Sequence, residues 1–258
     1  MGLSDTKKER IQNLIINSIR NKLQNYHPES SSMPFHYRLL GKDRMALFSF
    51  IQSLNTTFGT SIFEPVAIEL AKSRFSVVKN QFSLGNEIYE GYQQAIQQII
   101  NKLSTKECQP NKIEELQKIK EARYGRKNTL KTVKVDLYLE TSEGDIYLFD
   151  LKTAKPNITE FKSYKRTLLE WAAIILTKNP AAQVHSLIAI PYNPYEPKPY
   201  ERWTIKGMLD DRQELLVGKE FWDFLGGENA YEDLLECFEQ AGIVLREEID
   251  SYFATFRK

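Results

Sequence analysis

Residues 131–140, Lys-Thr-Val-Lys-Val-Asp-Leu-Tyr-Leu-Glu, alternate apolar and polar side chains with a period of two. Successive strand residues point to opposite faces, so this run predicts a β-strand and not a helix. Val133, Val135, Leu137 and Leu139 fall on one face, and Lys134, Asp136, Tyr138 and Glu140 on the other. A turn signal follows at Ser142-Glu143-Gly144-Asp145, and Ile-Tyr-Leu-Phe-Asp-Leu-Lys at 146–152 reads as a second strand. The two strands form a hairpin. Asn157, with Glu160 three residues on, marks a helix start by the capping-box pattern. The helix is expected over 158–177, and a third strand over 184–190. Hairpin, helix and strand in that order predict an α/β core, a mixed sheet flanked by helices.

The rest of the chain surrounds this core with helices. Ile11, Leu14, Ile15, Ile19 and Leu23 make a 3.6-period stripe over 5–25. Residues 26–42 are broken by Pro28, Ser30 to Ser32 and Pro34, and read as a loop. Further helices are expected at 43–55, 60–77, 86–104 and 112–123, with a break at Tyr124-Gly125-Arg126-Lys127-Asn128. Residues 192–200 are a Pro/Tyr-rich extended segment, and 219–257 are helical with interruptions at Gly226-Gly227 and around Gly242. The 258 residues are expected to form a single domain, 1–258, with a helical N-terminal region (1–110), a catalytic α/β core (111–200) and a C-terminal helical region (201–258).

Chemistry concentrates on the hairpin. Asp150 and Lys152 are two residues apart and share a face of the second strand. The midpoint of residues 136 and 150 is the turn residue Glu143, so a symmetric hairpin sets Asp136 directly opposite Asp150. Two carboxylates facing each other repel. A divalent cation between them would offset that cost, and Mg²⁺ accepts one or two carboxylates plus waters and phosphate oxygens. Lys152 would then stand beside a phosphodiester to stabilise developing negative charge. An exposed hairpin face of mixed charge fits the same geometry. The acid-x-Lys pattern recurs at Asp5, Glu160 and Glu196, so only the strand context singles out Asp150.

The segments V-D-L-Y-L-E and Y-L-F-D-L-K-T resemble the PD-(D/E)XK nuclease pattern, with Val135 where the name has proline. The longer stretch FDLKTAKPNITEFKSYKRTLLEWAA, and LLVGKEFWDFLGG near the C-terminus, are similar to type II restriction endonucleases of the TdeIII/MjaII kind. The resemblance implies a restriction-endonuclease-like core and a homodimer that cuts double-stranded DNA with Mg²⁺ at a short, GGNCC-like palindrome. A repair or recombination nuclease of the same fold, and a non-catalytic DNA-binding protein on this scaffold, are the alternatives. Such nucleases often add a glutamate from a preceding helix, and Glu64 is the candidate third catalytic and metal-binding acid. Ser61-x-x-Glu64 is also a capping box, so Glu64 reads equally as a helix cap.

Net charge is only +1, so DNA contact must come from local charge. Residues 118–134 hold Lys118, Lys120, Arg123, Arg126, Lys127, Lys131 and Lys134 against Glu121 alone, and run into the first strand. Lys162, Lys165 and Arg166 have i, i+3, i+4 spacing and are expected to share a helix face. Lys155 and Asn157 lie in the loop between, Asn157 with an equal claim as N-cap. Arg126, Lys127, Lys155, Asn157, Lys162, Lys165 and Arg166 are therefore the candidate DNA contacts. No P-loop motif appears, so no nucleotide cofactor is expected. His27, His36 and His185 are scattered, and His185 in an apolar strand reads as structural. Cys108 and Cys237 form no CxxC pair, and the first residues lack a signal-peptide pattern, which points to the cytoplasm. The longest apolar run, 171–176, is far too short to span a membrane.

Overall fold

A computed structural model describes residues 2–28, 33–131, 134–152, 161–200 and 207–256. The chain partitions into two compact units, one of Met1–Leu70 with Gly226–Lys258, the other Ala71–Leu225.

The second unit holds the sheet. Its strands are β1 (Val77–Ser83), β4 (Lys134–Glu140), β5 (Ile146–Leu151), β6 (Val184–Ile190) and β7 (Leu215–Val217), in the order β1-β4-β5-β6-β7. The β1/β4 and β4/β5 pairs are antiparallel, and β5/β6 and β6/β7 are parallel, so the sheet is mixed as expected. A parallel neighbour needs a crossover, and α7 (Phe161–Lys178) supplies it between β5 and β6. A short second sheet pairs β2 (Glu87–Tyr89) with β3 (Lys127–Thr129). Helices α5 (Glu90–Ser104) and α6 (Lys112–Glu121) complete this side.

Both faces of the hairpin are covered. Tyr138 and Leu148 belong to a core with Ile96 and Ile100 of α5 and Leu168, Ala172 and Ile175 of α7. On the opposite face Phe149 meets Phe221 and Phe224 of α8 (Lys219–Gly226), with ring centroids 5.6 and 5.7 Å away. The even-numbered face of β4 is therefore not the open polar surface that its alternation predicted. Tyr138 is only 8% exposed, its ring lies 5.0 Å from that of Phe82, and its hydroxyl donates to Glu140 Oε2 at 3.1 Å. A parallel crossover places a helix on that face whatever the strand's own composition.

The first unit is helical: α1 (Asp5–Asn25), α2 (Pro34–Leu40), α3 (Lys42–Phe58), a π-helical segment (Gly59–Phe63), α4 (Glu64–Ala71) and α9 (Ala230–Ala254). Ile11 and Ile15 of α1 are buried, as are Leu234, Cys237, Ala241 and Leu245 of α9, and Arg20 grips Glu248 through Nε and Nη2 at 3.0 and 2.7 Å. Four expectations change. Residues 34–40 are helical rather than loop, helix 60–77 ends at Ala71 with β1 starting at Val77, helix 86–104 starts only at Glu90 behind strand β2, and α9 runs unbroken through Gly242. One interior glycine costs a helix only about 1 kcal/mol, which a long buried stripe overrides.

Candidate active site

Asp136 and Asp150 meet as the hairpin midpoint predicts. Leu137 pairs with Phe149 and Tyr138 with Leu148, and the same register carried one step further sets Asp136 against Asp150. Parity puts Asp136, Asp150 and Lys152 on the face that α7 covers. Lys152 Nζ lies 2.8 Å from Asp150 Oδ1 and 4.8 Å from the ring centre of Tyr164 on α7. Its backbone N–H donates to Ala189 O of β6 at 2.9 Å, which ties the site to the parallel part of the sheet.

The two carboxylates are held differently. Asp136 Oδ2 accepts the Leu151 backbone N–H at 2.8 Å, and Oδ1 accepts the Gln81 side-chain amide at 3.0 Å. Asp150 is 9% exposed. Burial, opposed by Lys152 and reinforced by the negative charge of Asp136, pushes its carboxyl up to about 6. A buried acid facing a second acid is an arrangement that a bound cation relieves. Each carboxylate oxygen carries two lone pairs, so the two N–H donors leave Asp136 with free acceptor capacity. The donor set is oxygen-only, as a hard divalent ion prefers. Among the described residues no group of three or more His, Cys, Asp or Glu side chains converges on one point. Two carboxylates nonetheless suffice for Mg²⁺, which keeps several waters.

Glu64 lies in the helical unit and is 5% exposed. The capping-box reading fails there, because the chain is already helical from Lys42 through the π segment and no free helix N-terminus exists at Ser61. The expected basic segment is largely at the surface: Lys118, Arg123, Arg126, Lys127, Lys131 and Lys134 are all exposed. Arg123 and Lys127 flank the Tyr89 ring at 5.4 and 5.7 Å. Lys162 is exposed, and Arg166 is half-buried with Nη2 donating to Gln97 Oε1 at 2.6 Å. Lys155, Asn157 and Glu160 lie outside the described residues.

Lys165 departs from the expected basic surface. It does not share the face of Lys162; it is fully buried, with Nζ paired to Glu115 and, at 2.6 Å, to Glu214 Oε2. Lys112 Nζ joins the cluster at 2.9 Å from Glu214 Oε1 and 2.8 Å from Ser186 Oγ. An ammonium so enclosed is removed from phosphate contact. The sequence also missed Gln81, which sits in a stretch that carries no motif, and the role of Tyr164, which looked like one more apolar stripe residue. His185 is structural as expected, stacked on Tyr147 with centroids 4.5 Å apart.

Two neighbouring aspartates beside a lysine, with a basic surface in the same unit, are groups able to hold a divalent ion near a phosphate. The family model of the type II restriction endonuclease HinfI matches residues 3–242, and the chain belongs to that family. It is 26% identical over 252 residues to the type II restriction enzyme HgiCII of Herpetosiphon aurantiacus, covering 92% of this chain and 91% of the relative. It is 27% identical over 257 residues to the type II restriction enzyme MjaII of Methanocaldococcus jannaschii, covering 88% of this chain and 68% of the relative. The chain is thus a site-specific endonuclease of the type II class. Among the described residues no helix is long and apolar enough to cross a membrane.

Proposed function

We propose that this endonuclease hydrolyses phosphodiester bonds of double-stranded DNA at a short specific site, GGNCC-like by resemblance, with Mg²⁺ held by Asp136 and Asp150. The observation that carries this is the interaction of the Asp136 and Asp150 carboxylates beside the Lys152 ammonium. The ion would polarise the scissile phosphate and acidify a bound water. Lys152 supplies a fixed positive charge for the phosphate, and Tyr164 confines its ammonium from the α7 side. Leu151 N–H and the Gln81 amide hold the Asp136 carboxylate in one plane. Arg126, Lys127 and Lys162 are the proposed phosphate contacts, joined by Lys155, Asn157 and Arg166. The setting is the cytoplasm, in keeping with free Cys108 and Cys237.

Cleavage of both strands favours a twofold dimer. A surface that supports one lies on α2 and α3, where Phe35 and Leu39 are each 83% exposed and Leu40, Leu47, Phe48 and Ile51 between 43% and 52%. At about 150–200 Å² per large side chain this leaves roughly 500–700 Å² of apolar surface. That exceeds or matches the largest patch of most monomers and approaches the ~800 Å² per partner of a stable interface. We assign it to a second copy of this chain.

The test is Asp150→Asn and Lys152→Ala with Mg²⁺ and plasmid DNA of known sequence. Both variants are expected to keep wild-type circular dichroism and lose discrete fragments. Wild-type cutting by folded Asp150→Asn would refute the site, and structure-selective nicking by the wild type would favour a repair nuclease instead.

A further inference from the structure

We propose that Gln81 is a positioning residue that fixes Asp136 for cation binding, and that its unusual backbone exists to serve that contact. This rests on the reading of Asp136 as a metal ligand. In β1, Asn80 pairs with Leu137 and Phe82 with Val135, so Gln81 stands across from Asp136 on the next strand. Its φ is +45°, in the left-handed region, and only two other described non-glycine residues, Lys106 and Asn229, have positive φ. Glutamine is not among the residues that adopt this region readily; glycine, asparagine and aspartate are. Gln81 is exposed on an edge strand, so no core packing demands it.

What the conformation achieves is the contact. Gln81 Nε2 donates to Asp136 Oδ1 at 3.0 Å while Leu151 N–H donates to Oδ2 at 2.8 Å. One donor per oxygen, from strands on either side of β4, locks both torsions of a short side chain. The remaining lone pairs then keep a constant direction relative to Asp150. Strain retained at one strand residue and a hydrogen bond to a candidate ligand are separate observations, and they coincide at one position. Groups that orient metal ligands in this way typically govern metal affinity by about 10–100-fold.

The experiment compares wild type with Gln81→Gly and Gln81→Asn. Glycine accepts the left-handed backbone freely, so Gln81→Gly is expected to melt at or above the wild-type temperature. It should need about 10–100-fold more Mg²⁺ for half-maximal cleavage, with KM for DNA unchanged. Calorimetric titration with Mg²⁺ should show the same weakening without any turnover. Asparagine also tolerates this backbone but its amide stops one methylene short, so it should weaken Mg²⁺ in the same direction. It carries the test if the glycine variant melts low. An unchanged Mg²⁺ requirement in a folded variant overturns the proposal. If that result comes with an inactive Asp150→Asn, only the role of Gln81 fails; if Asp136→Ala and Asp150→Asn also bind Mg²⁺ and cut normally, the site itself fails.

Discussion

Lys165→Met should cost stability, not DNA affinity. The Lys165 ammonium is fully buried and bridges two carboxylates, Glu115 and Glu214. Removing one partner of a buried ion pair usually costs about 3–5 kcal/mol, because the charge left behind has neither water nor a counterion. Glu214 is partly protected: it keeps Lys112 on Oε1 at 2.9 Å and the Asp210 N–H on Oε2 at 2.9 Å. Glu115 keeps an Asn111 N–H at 3.3 Å on Oε1 and loses its paired ammonium on Oε2. One stranded carboxylate places the loss at the low end, about 3 kcal/mol, or about 6–12 °C in Tm for a chain of this size. The loss has a definite pH dependence. Burial already raises the Glu115 carboxyl, and without Lys165 it rises further. A folded-state carboxyl above its unfolded value gains stability as pH falls through it, so the variant's deficit shrinks as pH falls from neutrality towards the ordinary carboxylate range. Adding Glu115→Met should recover most of the loss by replacing the stranded charge with apolar volume. Urea or thermal melts across this pH range provide the measurement, with filter binding to duplex DNA at several salt concentrations. A Tm change under about 2 °C combined with weaker, less salt-dependent DNA binding would refute the burial argument and restore Lys165 as a phosphate contact.

Burial lowers the His185 imidazole below its usual value, against a smaller raising by Asp145. A depressed folded-state value means stability is present above about pH 6.5 and declines as pH falls, since the unfolded chain binds the proton first. His185→Gln should therefore flatten Tm between pH 7.5 and 5.5 relative to wild type, and an identical slope would remove His185 from the account. For the apolar face of α2 and α3, Phe35→Asp with Leu39→Asp should halve the mass measured by light scattering at micromolar protein while circular dichroism stays constant. A dimer that survives both changes lies on another surface.

The fold was legible where a pattern was long and its environment one-sided. The stripe over 5–25 matches Asp5–Asn25, and 184–190 matches Val184–Ile190. Short strands were invisible: β2, β3 and β7 have three residues each, too few for a period to register. Strand β1 failed for a different reason. Its middle, Lys79-Asn80-Gln81, is polar because an edge strand has one flank in solvent, and it follows directly on a helix. The Ser61/Glu64 pattern misled because a capping box is meaningful only where a helix begins, and the π segment carries the helix through that point. The basic trio of α7 misled for a tertiary reason: helical spacing tells which residues are neighbours but not whether a partner helix brings acids to meet them. Glu115 and Glu214, distant in sequence, decide the environment of Lys165.

At the site, the pairing of Asp136 with Asp150 followed from counting to the turn, because an antiparallel hairpin has one register and the turn fixes it. What counting could not supply is the covering of that face by α7, and this coverage divides the labour. It leaves the Asp150 side chain 13% exposed and the Lys152 side chain 27% exposed, so the acid is desolvated while the ammonium reaches the rim. A solvent-facing hairpin would have given two hydrated carboxylates and a mobile lysine, with little electrostatic force to spare. Under α7, Asp150 is buried against Asp136 with Lys152 as its close counter-charge, and a phosphate arriving at the rim would compete for that ammonium. The face that looked merely polar in the sequence has its chemical leverage because the crossover helix keeps most of the water away from it.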